Sequence, residues 1–322
     1  MENLTKDELL TSKITQSETP IKEFWRLFRK DKLAIFGFII LLFLIVSAIA
    51  GKVLTEWTVV FDPALVRLAD KLMPPLSIAS AHISLEEIPM FGVYLLGTDE
   101  LGRDVFARML QGSFVSLSIG FVAVSISTFI GILFGGLAGF YGNVRLGFIS
   151  VDTLIMRFTD VMLCFPTFFL ILTVVALLPP SIYNIMIIIG ITSWMGTARF
   201  VRAEFLALRE QDFVLAAKAL GLPEWRIIFL HMVPNAVAPV LVSAVIGVAA
   251  AILTESALSF LGFGVQPPYA TWGNILADGK NFIFDAPWLF FIPGIAILII
   301  VLAFNLVGEG MREALNPKLH RR

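Results

Sequence analysis

Long apolar runs without a charged residue constrain this sequence more than any other feature. Leu33 to Gly51 is uncharged over 19 residues, and Met109 to Val144 is uncharged over 36. A third run, Val161 to Ala198, is divided by the pair Pro179-Pro180. An α-helix needs about 20 apolar residues to cross the roughly 30 Å hydrocarbon core of a bilayer. These runs therefore predict membrane-spanning helices rather than a soluble core.

We predict an all-α membrane protein with six transmembrane helices. Their expected positions are 33–53, 113–140, 155–178, 183–200, 236–261 and 288–308. The composition agrees, because 57% of the residues are hydrophobic and 15% are charged, whereas a soluble domain has about 25% charged residues. The net charge of −1 gives no indication of a nucleic-acid partner, so the expected surroundings are the lipid bilayer.

The distribution of basic residues predicts the orientation of these spans. With the N-terminus in the cytoplasm, the inside segments contain 18 of the 24 Lys and Arg residues and the outside segments contain six. Cytoplasmic loops of membrane proteins carry such an excess of basic residues. The sequence therefore predicts a multi-pass protein with both termini in the cytoplasm.

The six spans divide the chain into four regions. We expect a cytoplasmic tail with an amphipathic helix (1–32), a first span with a long extracellular loop (33–112), a core of five spans with a cytoplasmic loop at 201–234 (113–310), and a cytoplasmic C-terminal tail (311–322). Residues 1–20 are polar and are expected to be disordered. The segment Ile21 to Lys30 places aromatic residues among cations, which fits either a helix on the inner leaflet or ordinary flanking charge.

Two features of the predicted spans bear on helix packing. Gly131, Gly135 and Gly139 recur every four residues, which leaves bare backbone along one face of span two. This spacing predicts close contact with another helix, and a moving helix contact is the alternative. Arg157 and Asp160 are three residues apart in span three, so they are placed to form an ion pair on one helix face.

Glu255 lies toward the outer end of predicted span five, with Thr254 and Ser256 as its polar neighbours. Ionisable side chains within a membrane are costly and are often functional. Two roles fit this position. Glu255 is expected either to line a translocation path or to hydrogen-bond with a neighbouring helix.

The stretch at 212–235, DFVLAAKALGLPEWRIIFLHMVPN, interrupts the apolar sequence with charges and a Gly-Leu-Pro break. Gly221 can end a helix by adopting a positive φ. Pro223 suits the first turn of a following helix, and Glu224 would lie near the positive end of its dipole. We therefore predict a helix, a sharp turn and a second helix in the cytoplasm. The alanines beside the turn form a flat, thin surface that fits a groove on another protein.

This stretch resembles the EAA loop of importer-type ABC transporter permeases. LAAKALG is followed after nine residues by HMVPN, with Gly221 and Pro234 thirteen residues apart. Leu215 stands where the motif usually has Glu. The motif departs from the family pattern only there.

Three further segments resemble those of the dipeptide/oligopeptide/nickel permeases. They are LGTDELGRDVFARML (Leu96–Leu110), SFLGFGVQPPYATWGNIL (Ser259–Leu276) and FNLVGEGMREALNPK (Phe304–Lys318). In the last segment the family often has Asp where this chain has Glu309, Glu313 and Asn316. The resemblance covers residues 21–318, and the order of the motifs with the long first loop is similar to the "C"-type subunit of a B/C permease pair.

The resemblance implies a type I ABC importer permease fold in a prokaryotic cytoplasmic (inner) membrane. The implied partners are a second homologous permease, two cytoplasmic ABC ATPase subunits and an extracytoplasmic substrate-binding protein. The residues implied to contact an ATPase are Ala216, Ala217, Ala219, Gly221, Leu222, Pro223 and Pro234. ATP and Mg²⁺ are expected on the ATPase subunits, because this chain lacks a G-x-x-x-x-G-K-[ST] segment. We expect no catalytic residue and no metal site here.

The first extracellular loop contains a second candidate site. Its residues are Gly97, Thr98, Asp99, Gly102, Arg103 and Asp104. Thr98 or Asp99 is a good N-cap for a helix that runs to Leu110 and leads into span two. The resemblance adds docking of the substrate-binding protein and gating of the outer mouth to this structural role.

The resemblance thus implies a transport subunit of an ATP-driven importer of di- and oligopeptides, not an enzyme. Import of nickel or another small solute is the alternative within the family. An ion-coupled secondary transporter is the alternative outside it. Such transporters place ionisable groups near the bilayer midplane and often contain internal repeats, whereas the charges of this sequence gather at the ends of the spans.

Overall fold

The computed structural model describes residues 20–57, 61–80, 88–89 and 92–315 of the protein. The disorder predicted for residues 1–20 lies outside these ranges, except for Pro20, which begins the first helix. Most of the predicted C-terminal tail, 316–322, also lies outside them.

The described residues form helices joined by short segments. The α-helices are α1 (Pro20–Phe28), α2 (Lys32–Trp57), α3 (Val105–Phe140), α4 (Val151–Cys164), α5 (Thr167–Leu177), α6 (Ile182–Thr192), α7 (Trp194–Arg209), α8 (Asp212–Ala219), α9 (Glu224–Arg226), α10 (Val233–Phe260), α11 (Trp272–Gly279) and α12 (Trp288–Ala314). A π-helical turn, Ile227–Met232, joins α9 to α10, and 3-10 turns lie at Leu68–Asp70 and Lys280–Phe282. Two antiparallel pairs of short strands complete the fold: β1 (Ser77–Ile78) with β2 (Val93–Tyr94), and β3 (Arg145–Leu146) with β4 (Ile149–Ser150).

Several helices are long and apolar enough to cross a membrane. Within the described ranges, four satisfy this test by themselves: Lys32–Trp57, Val105–Phe140, Glu224–Phe260 and Trp288–Ala314. Two bent helix pairs raise the number to as many as six if each pair is one span. The fold is therefore mostly helical with four to six candidate spans, and each lies on one of the sequence runs predicted to cross the bilayer.

The prediction of a single helix over 155–178 is wrong. The chain bends by 80° between α4 and α5. Pro166 lies at this bend, and proline has no N–H group to continue the hydrogen bonds of a helix. The pair α6 and α7 also bends, by 41°, so the helix predicted at 183–200 is in two parts. The predicted break at Pro179-Pro180 is confirmed, because α5 ends at Leu177 and α6 begins at Ile182.

The glycines of α3 pack against α7. A Cβ atom at Gly131 would lie 2.6 Å from Cβ of Thr197, and one at Gly139 would lie 2.5 Å from Cβ of Phe205. At Gly135 it would overlap the carbonyl oxygen of Ala198. The predicted close approach of another helix is confirmed, because only glycine leaves room for the α7 backbone at these positions.

Charged residues join α4 to α7 near one end of the bundle. Nη1 of Arg157 lies 3.9 Å from Oδ2 of Asp160, and both side chains are exposed, so the predicted pair is present but weak. A shorter contact links Asp160 to Nη2 of Arg199 at 2.5 Å. Arg202 binds Asp152 through two nitrogens, one of them 2.6 Å from Oδ2. Two Arg–Asp contacts therefore hold α4 onto α7.

The amphipathic segment before the first span forms α1. Its apolar side packs on the bundle, where Phe28 is buried and lies edge-on to Phe38 of α2. A Cβ atom at Gly310 of α12 would lie 3.2 Å from the Phe28 ring. The basic residues Lys22, Arg26 and Arg29 are exposed on the other side. The amphipathic helix is thus present, and it is seated on α2 and α12.

Candidate functional site

The stretch at 212–235 forms the predicted helix and turn, with a specific cap. α8 ends at Ala219, and Gly221 follows with φ of +72°. The Gly221 N–H donates to the Lys218 carbonyl at 3.0 Å, and the Leu222 N–H donates to the Ala217 carbonyl at 3.2 Å. This pair of bonds is a Schellman cap, which requires a residue that tolerates positive φ. Gly221 therefore fixes the turn. Residues 212–226, which the sequence predicts to lie in the cytoplasm, are called the cytoplasmic turn below.

The two faces of the cytoplasmic turn differ in burial. Val214 and Ala217 are buried in a cluster formed with the ends of α3, α7 and α10. Ala216 and Ala219, which the sequence also selected, are exposed. Large apolar side chains stand exposed on the turn and the π-helical segment after it: Phe213, Leu215, Leu220, Trp225, Phe229 and Leu230. Six large apolar side chains exposed within one short segment make it a candidate interaction site.

Several contacts anchor the cytoplasmic turn to the spans. The ammonium group of Lys218 lies 5.4 Å from the centre of the Phe140 ring at the end of α3. Burial and the neighbouring Glu224 carboxylate raise the pKa of Tyr141, which places Glu224 against the same end of α3. The turn is therefore held at the ends of α3 and α7 and connects directly with α10.

Two local features of this region go beyond the predicted helix and turn. The chain from Arg202 to Lys218 forms two helices, because α7 ends at Arg209 and α8 begins at Asp212. Pro234 lies in the first turn of α10, and the π-helical turn leads into that helix without a break.

A second set of predicted residues comes together at the other end of the bundle. Gly97 and Gly102 have φ of +80° and +71°. A Cβ atom at Gly97 would lie 2.6 Å from the Met73 carbonyl oxygen, and one at Gly102 would overlap the carbonyl oxygen of Arg67. Both glycines are therefore needed for the conformation and for the close approach of residues 67–73.

Asp99 is the centre of an ion network at this end. Its carboxylate is fully buried, and Oδ2 accepts from Nε of Arg103 and from Nη1 of Arg108, both at 2.6 Å. The same two guanidinium groups also contact Asp278 of α11, at 3.4 Å and 2.9 Å. Charge-assisted bonds of this geometry are the strong ones. The network joins the loop that the sequence predicts to be extracellular to α3 and α11.

The predicted helix from Thr98 or Asp99 is wrong. α3 begins at Val105, and its N-cap is Asp104, whose Oδ1 accepts from the Phe106 N–H at 2.8 Å. Burial raises the pKa of Asp104, against the opposing effect of this backbone bond. Thr98 instead donates to the Asp70 carbonyl at 2.5 Å. The Asp99 carboxylate is bound by its two arginine partners, and Asp104 provides the N-cap of α3 instead.

Asp70 and Tyr94 stabilise this region, and no sequence pattern predicted their contact. The Tyr94 hydroxyl donates to Oδ2 of Asp70 at 2.6 Å, and the Ser80 N–H donates to the same carboxylate. Burial by itself would raise the pKa of Asp70, but the bonds from Ser80 and Tyr94 outweigh it and lower that pKa. The pKa of Tyr94 is raised by burial and by Asp70. These residues lie 24 positions apart and meet only in the folded loop.

Exposure separates the supporting residues from the accessible ones. Thr98, Asp99 and Asp104 are buried, whereas Leu101 is exposed and Glu100 is half-buried. Within 97–104, Glu100 and Leu101 are therefore the accessible residues. The predicted docking and gating role of residues 97–104 stays a prediction, with the buried members placed to hold the loop in shape.

Glu255 is fully buried near the end of α10. Ser259 Oγ donates to its Oε1 at 2.7 Å, and the Thr271 hydroxyl lies beside the same carboxyl. Oε2 has no hydrogen-bond partner among the described residues. The bond to Ser259 lies within α10. Both predicted roles of Glu255, the hydrogen bond to a neighbouring helix and the translocation path, stay predictions.

Helices that are long and apolar enough to cross a bilayer, with an exposed turn at one end, define a membrane-embedded protein. The family profile of binding-protein-dependent transport system inner membrane components matches residues 131–321. The profile of the N-terminal transmembrane domain of oligopeptide transport permease C matches residues 19–75. The chain belongs to the family of binding-protein-dependent transport system inner membrane components.

Curated relatives match over most of their length. The chain is 39% identical to the dipeptide transport system permease protein DppC of Alkalihalophilus pseudofirmus, over 94% of this chain and 91% of that protein. It is 39% identical to the di/tripeptide permease DppC of Pseudomonas aeruginosa, over 94% and 93%. It is 35% identical to the oligopeptide permease OppC of Bacillus subtilis, over 91% and 88%.

A solved structure shares the fold. A chain of the MetNI methionine ABC transporter, in an inward-facing conformation, superposes with a TM-score of 0.50 over 66% of this chain and 98% of that one. The sequences are 17% identical, so the similarity concerns the fold alone. The mostly helical fold is therefore shared with a chain of an ABC transporter, whereas the count of six spans stays a prediction.

Proposed function

We propose that this chain is the transmembrane permease subunit of an ATP-driven, binding-protein-dependent importer of di- and oligopeptides. The observation that carries the proposal is its match, over nine-tenths of its length, to three permeases named for dipeptides, di/tripeptides and oligopeptides. A permease provides a path and transmits force. ATP and Mg²⁺ accordingly belong to partner subunits, and no catalytic residue is assigned to this chain.

The proposed topology has six spans with both termini in the cytoplasm of a prokaryotic inner membrane. The bent pairs α4–α5 and α6–α7 each count as one span in this arrangement. Its support is the concentration of Lys and Arg in the segments assigned to the cytoplasm, 18 of 24. The cytoplasmic turn and the Arg–Asp contacts between α4 and α7 then lie on the inside, and the Asp99 network lies outside.

The cytoplasmic turn is the proposed coupling element. Its exposed face, which includes Ala216, Ala219 and Leu220, would enter a cleft on one of two ATPase subunits. Its buried face, through Val214 and Ala217, rests on the ends of the spans. The Gly221 cap and this packing hold the turn as one unit. Displacement of the ATPase would therefore move the spans with little deformation of the turn.

The outer loop is the proposed docking and gating surface for the substrate-binding protein. Glu100 and Leu101 are the accessible residues of its 97–104 segment, and the Asp99 network holds that segment against α3 and α11. The companion in the membrane is a second, homologous permease that completes the path. The exposed apolar side chains of α5 and α6, such as Phe169, Leu177 and Tyr183, are available to contact it.

Site-specific crosslinking tests the coupling assignment. In a Cys164→Ala background, Ala219→Cys is expected to crosslink to an ATPase subunit in the assembled transporter, with a yield that changes on ATP binding. Ala217→Cys is the matched control, because Ala217 lies two residues away on the buried face. Absence of any crosslink at position 219 in a complex that transports substrate would remove the coupling assignment.

Reconstituted uptake tests the substrate. The complete transporter in proteoliposomes, supplied with binding protein and internal ATP, is expected to accumulate labelled di- or tripeptide. Uptake of Ni²⁺ without uptake of peptide would select the alternative within the family. Peptide uptake that persists without ATP and responds to an ion gradient would indicate a secondary transporter instead.

A further inference from the structure

Glu255 lies at the far end of the helix that begins beside the cytoplasmic turn. α10 runs from Val233 to Phe260, and the π-helical turn joins its first residue to α9. At about 1.5 Å per residue, the 22 steps from Val233 to Glu255 span roughly 33 Å. One end of this rod is thus fixed to the cytoplasmic turn, and the other end carries a buried carboxyl.

The segment that covers Glu255 is called here the outer lip, residues 262–279. The carboxyl group accepts from Ser259 on its own helix, and Thr271 of the lip lies beside it. A Cβ atom at Gly273 would lie 2.7 Å from Cα of Ser256, and one at Gly264 would lie 2.5 Å from Cβ of Ser259. The backbone of the lip is therefore pressed onto the last two turns of α10 around Glu255.

The outer lip is also tied to α3. The Ala270 N–H donates to Oε1 of Gln111 at 2.7 Å, and Nε1 of Trp272 donates to the Met109 carbonyl at 3.2 Å. A shift of α10 relative to α3 must therefore be taken up by the lip. Without a specific contact to α10, the lip would stay with α3, because its hydrogen bonds to α3 would hold it there.

The outer lip borders the cavities at this end of the bundle. Gln266 lines three of them, with volumes of about 590, 280 and 210 Å³. Lys52, Tyr183 and Tyr269 line the largest one. A change in the position of the lip would change the shape of all three cavities at once.

We infer that Glu255 is a positioning residue that makes the outer lip follow α10, so that movement of the cytoplasmic turn reshapes the outer mouth. The burial of the carboxyl, its bond to Ser259 and its contact with Thr271 carry this inference. The inference rests on the proposed function, in which the partner ATPase moves the cytoplasmic turn. A buried Oε2 that lacks a hydrogen-bond partner costs free energy in this conformation. That cost favours a carboxyl group that changes its hydrogen-bond partners as the lip moves.

The test uses the complete transporter in nanodiscs, with Tyr269→Cys in a Cys164→Ala background as a reporter on the lip. Labelling by a membrane-impermeant maleimide is compared between nucleotide-free and vanadate-trapped complexes. With Glu255 present, the labelling rate is expected to change between the two states. With Glu255→Ala, ATP hydrolysis continues, but the change in labelling and the peptide uptake are lost.

Three variants separate this role from a merely structural one. Thr271→Val removes the hydroxyl beside Glu255, but it also removes the N-cap of α11, since Thr271 Oγ1 accepts from the Asn274 N–H at 3.0 Å. Ser259→Ala removes the hydroxyl that donates to Glu255 and no cap, so it is expected to reproduce the loss of nucleotide-dependent labelling by itself. Thr254→Val is the matched control on α10, because Thr254 is half-buried and its hydroxyl bonds to the Ala250 carbonyl of its own helix in the described structure. If Glu255→Ala fails to assemble, Ser259→Ala decides the question.

The failure of this inference is distinguishable from failure of the proposed function. Nucleotide-dependent labelling and uptake that persist in Ser259→Ala, or in an assembled Glu255→Ala complex, would overturn the role of Glu255 and leave the importer assignment intact. A reporter complex with Glu255 present that neither hydrolyses ATP nor takes up peptide would instead contradict the proposed function.

Discussion

Arg108 and Asp278 form an ion pair with 2.9 Å between Nη2 and Oδ2, although 170 residues separate them in the chain. Arg108 lies in the first turns of α3, and Asp278 lies near the end of α11. The same guanidinium also binds the buried Asp99. One arginine therefore joins the first extracellular loop, the start of a long helix and the outer lip.

The two carboxylates that share Arg108 are expected to differ in their effect on stability. Asp99→Asn removes the buried anion of two buried guanidinium groups and leaves them only the partly exposed Asp278, and breaking a buried pair costs about 3–5 kcal/mol. Asp278 is 31% exposed, so Asp278→Asn is expected to cost about 0.2–1 kcal/mol. Thermal unfolding of the detergent-purified protein measures both. Equal melting temperatures for the two variants would contradict the assigned roles.

The contact between α3 and α7 is expected to reject even one methyl group at Gly135. Gly135→Ala places Cβ against the Ala198 carbonyl, and overpacking of this kind costs about 1–3 kcal/mol. Gly196→Ala on α7 is the control, because a Cβ atom there has no neighbour within 4 Å. Replacing a helical glycine by alanine without a clash is expected to be neutral or stabilising. The measurement is the melting temperature of each purified variant.

An acidic side chain on the exposed face of the cytoplasmic turn is expected to prevent binding of the ATPase without unfolding the permease. Leu220 is 81% exposed, so Leu220→Asp changes little inside this chain. Co-purification with the ATPase subunits and binding-protein-stimulated ATP hydrolysis are the readouts. Phe148→Asp, at another exposed apolar residue predicted to be cytoplasmic, is the control and is expected to bind normally.

Asp70 is expected to make the stability of its loop depend on pH in the acidic range. Its folded-state pKa is lowered, so its contribution is present above the unfolded value of about 3.9 and is lost as pH falls through the lower folded value. The melting temperature of the unmodified protein should therefore exceed that of Asp70→Asn at pH 7. The difference should shrink as the pH approaches 3.

Tyr94→Phe provides the control for this acid dependence. It removes the hydroxyl that donates to Asp70 at 2.6 Å while keeping the ring. The variant is expected to lose part of the Asp70 contribution at pH 7 and to show a weaker dependence on pH. A difference between Asp70→Asn and the unmodified protein that stays constant from pH 7 to pH 3 would contradict the assignment.

The sequence was sufficient for features that depend on local patterns. The apolar runs predicted where helices cross the membrane, and Gly221 followed by Pro223 predicted the cytoplasmic turn with its positive φ. The four-residue spacing of Gly131, Gly135 and Gly139 predicted a close helix contact. Each of these depends on the periodicity or the backbone freedom of neighbouring residues, so one stretch of chain contains the whole signal.

Other features were decided by residues far apart in the chain. Asp99 is a residue type that favours a helix N-cap, yet its carboxylate binds Arg103 and Arg108, and Asp104 caps α3 instead. Glu255 is fully buried, which no local pattern around it indicated. The sequence by itself therefore determined the four helices of spanning length, the turn and the class of protein. Only the tertiary structure decided which partner each charged side chain takes, because electrostatic partners are chosen by distance in space and not along the chain.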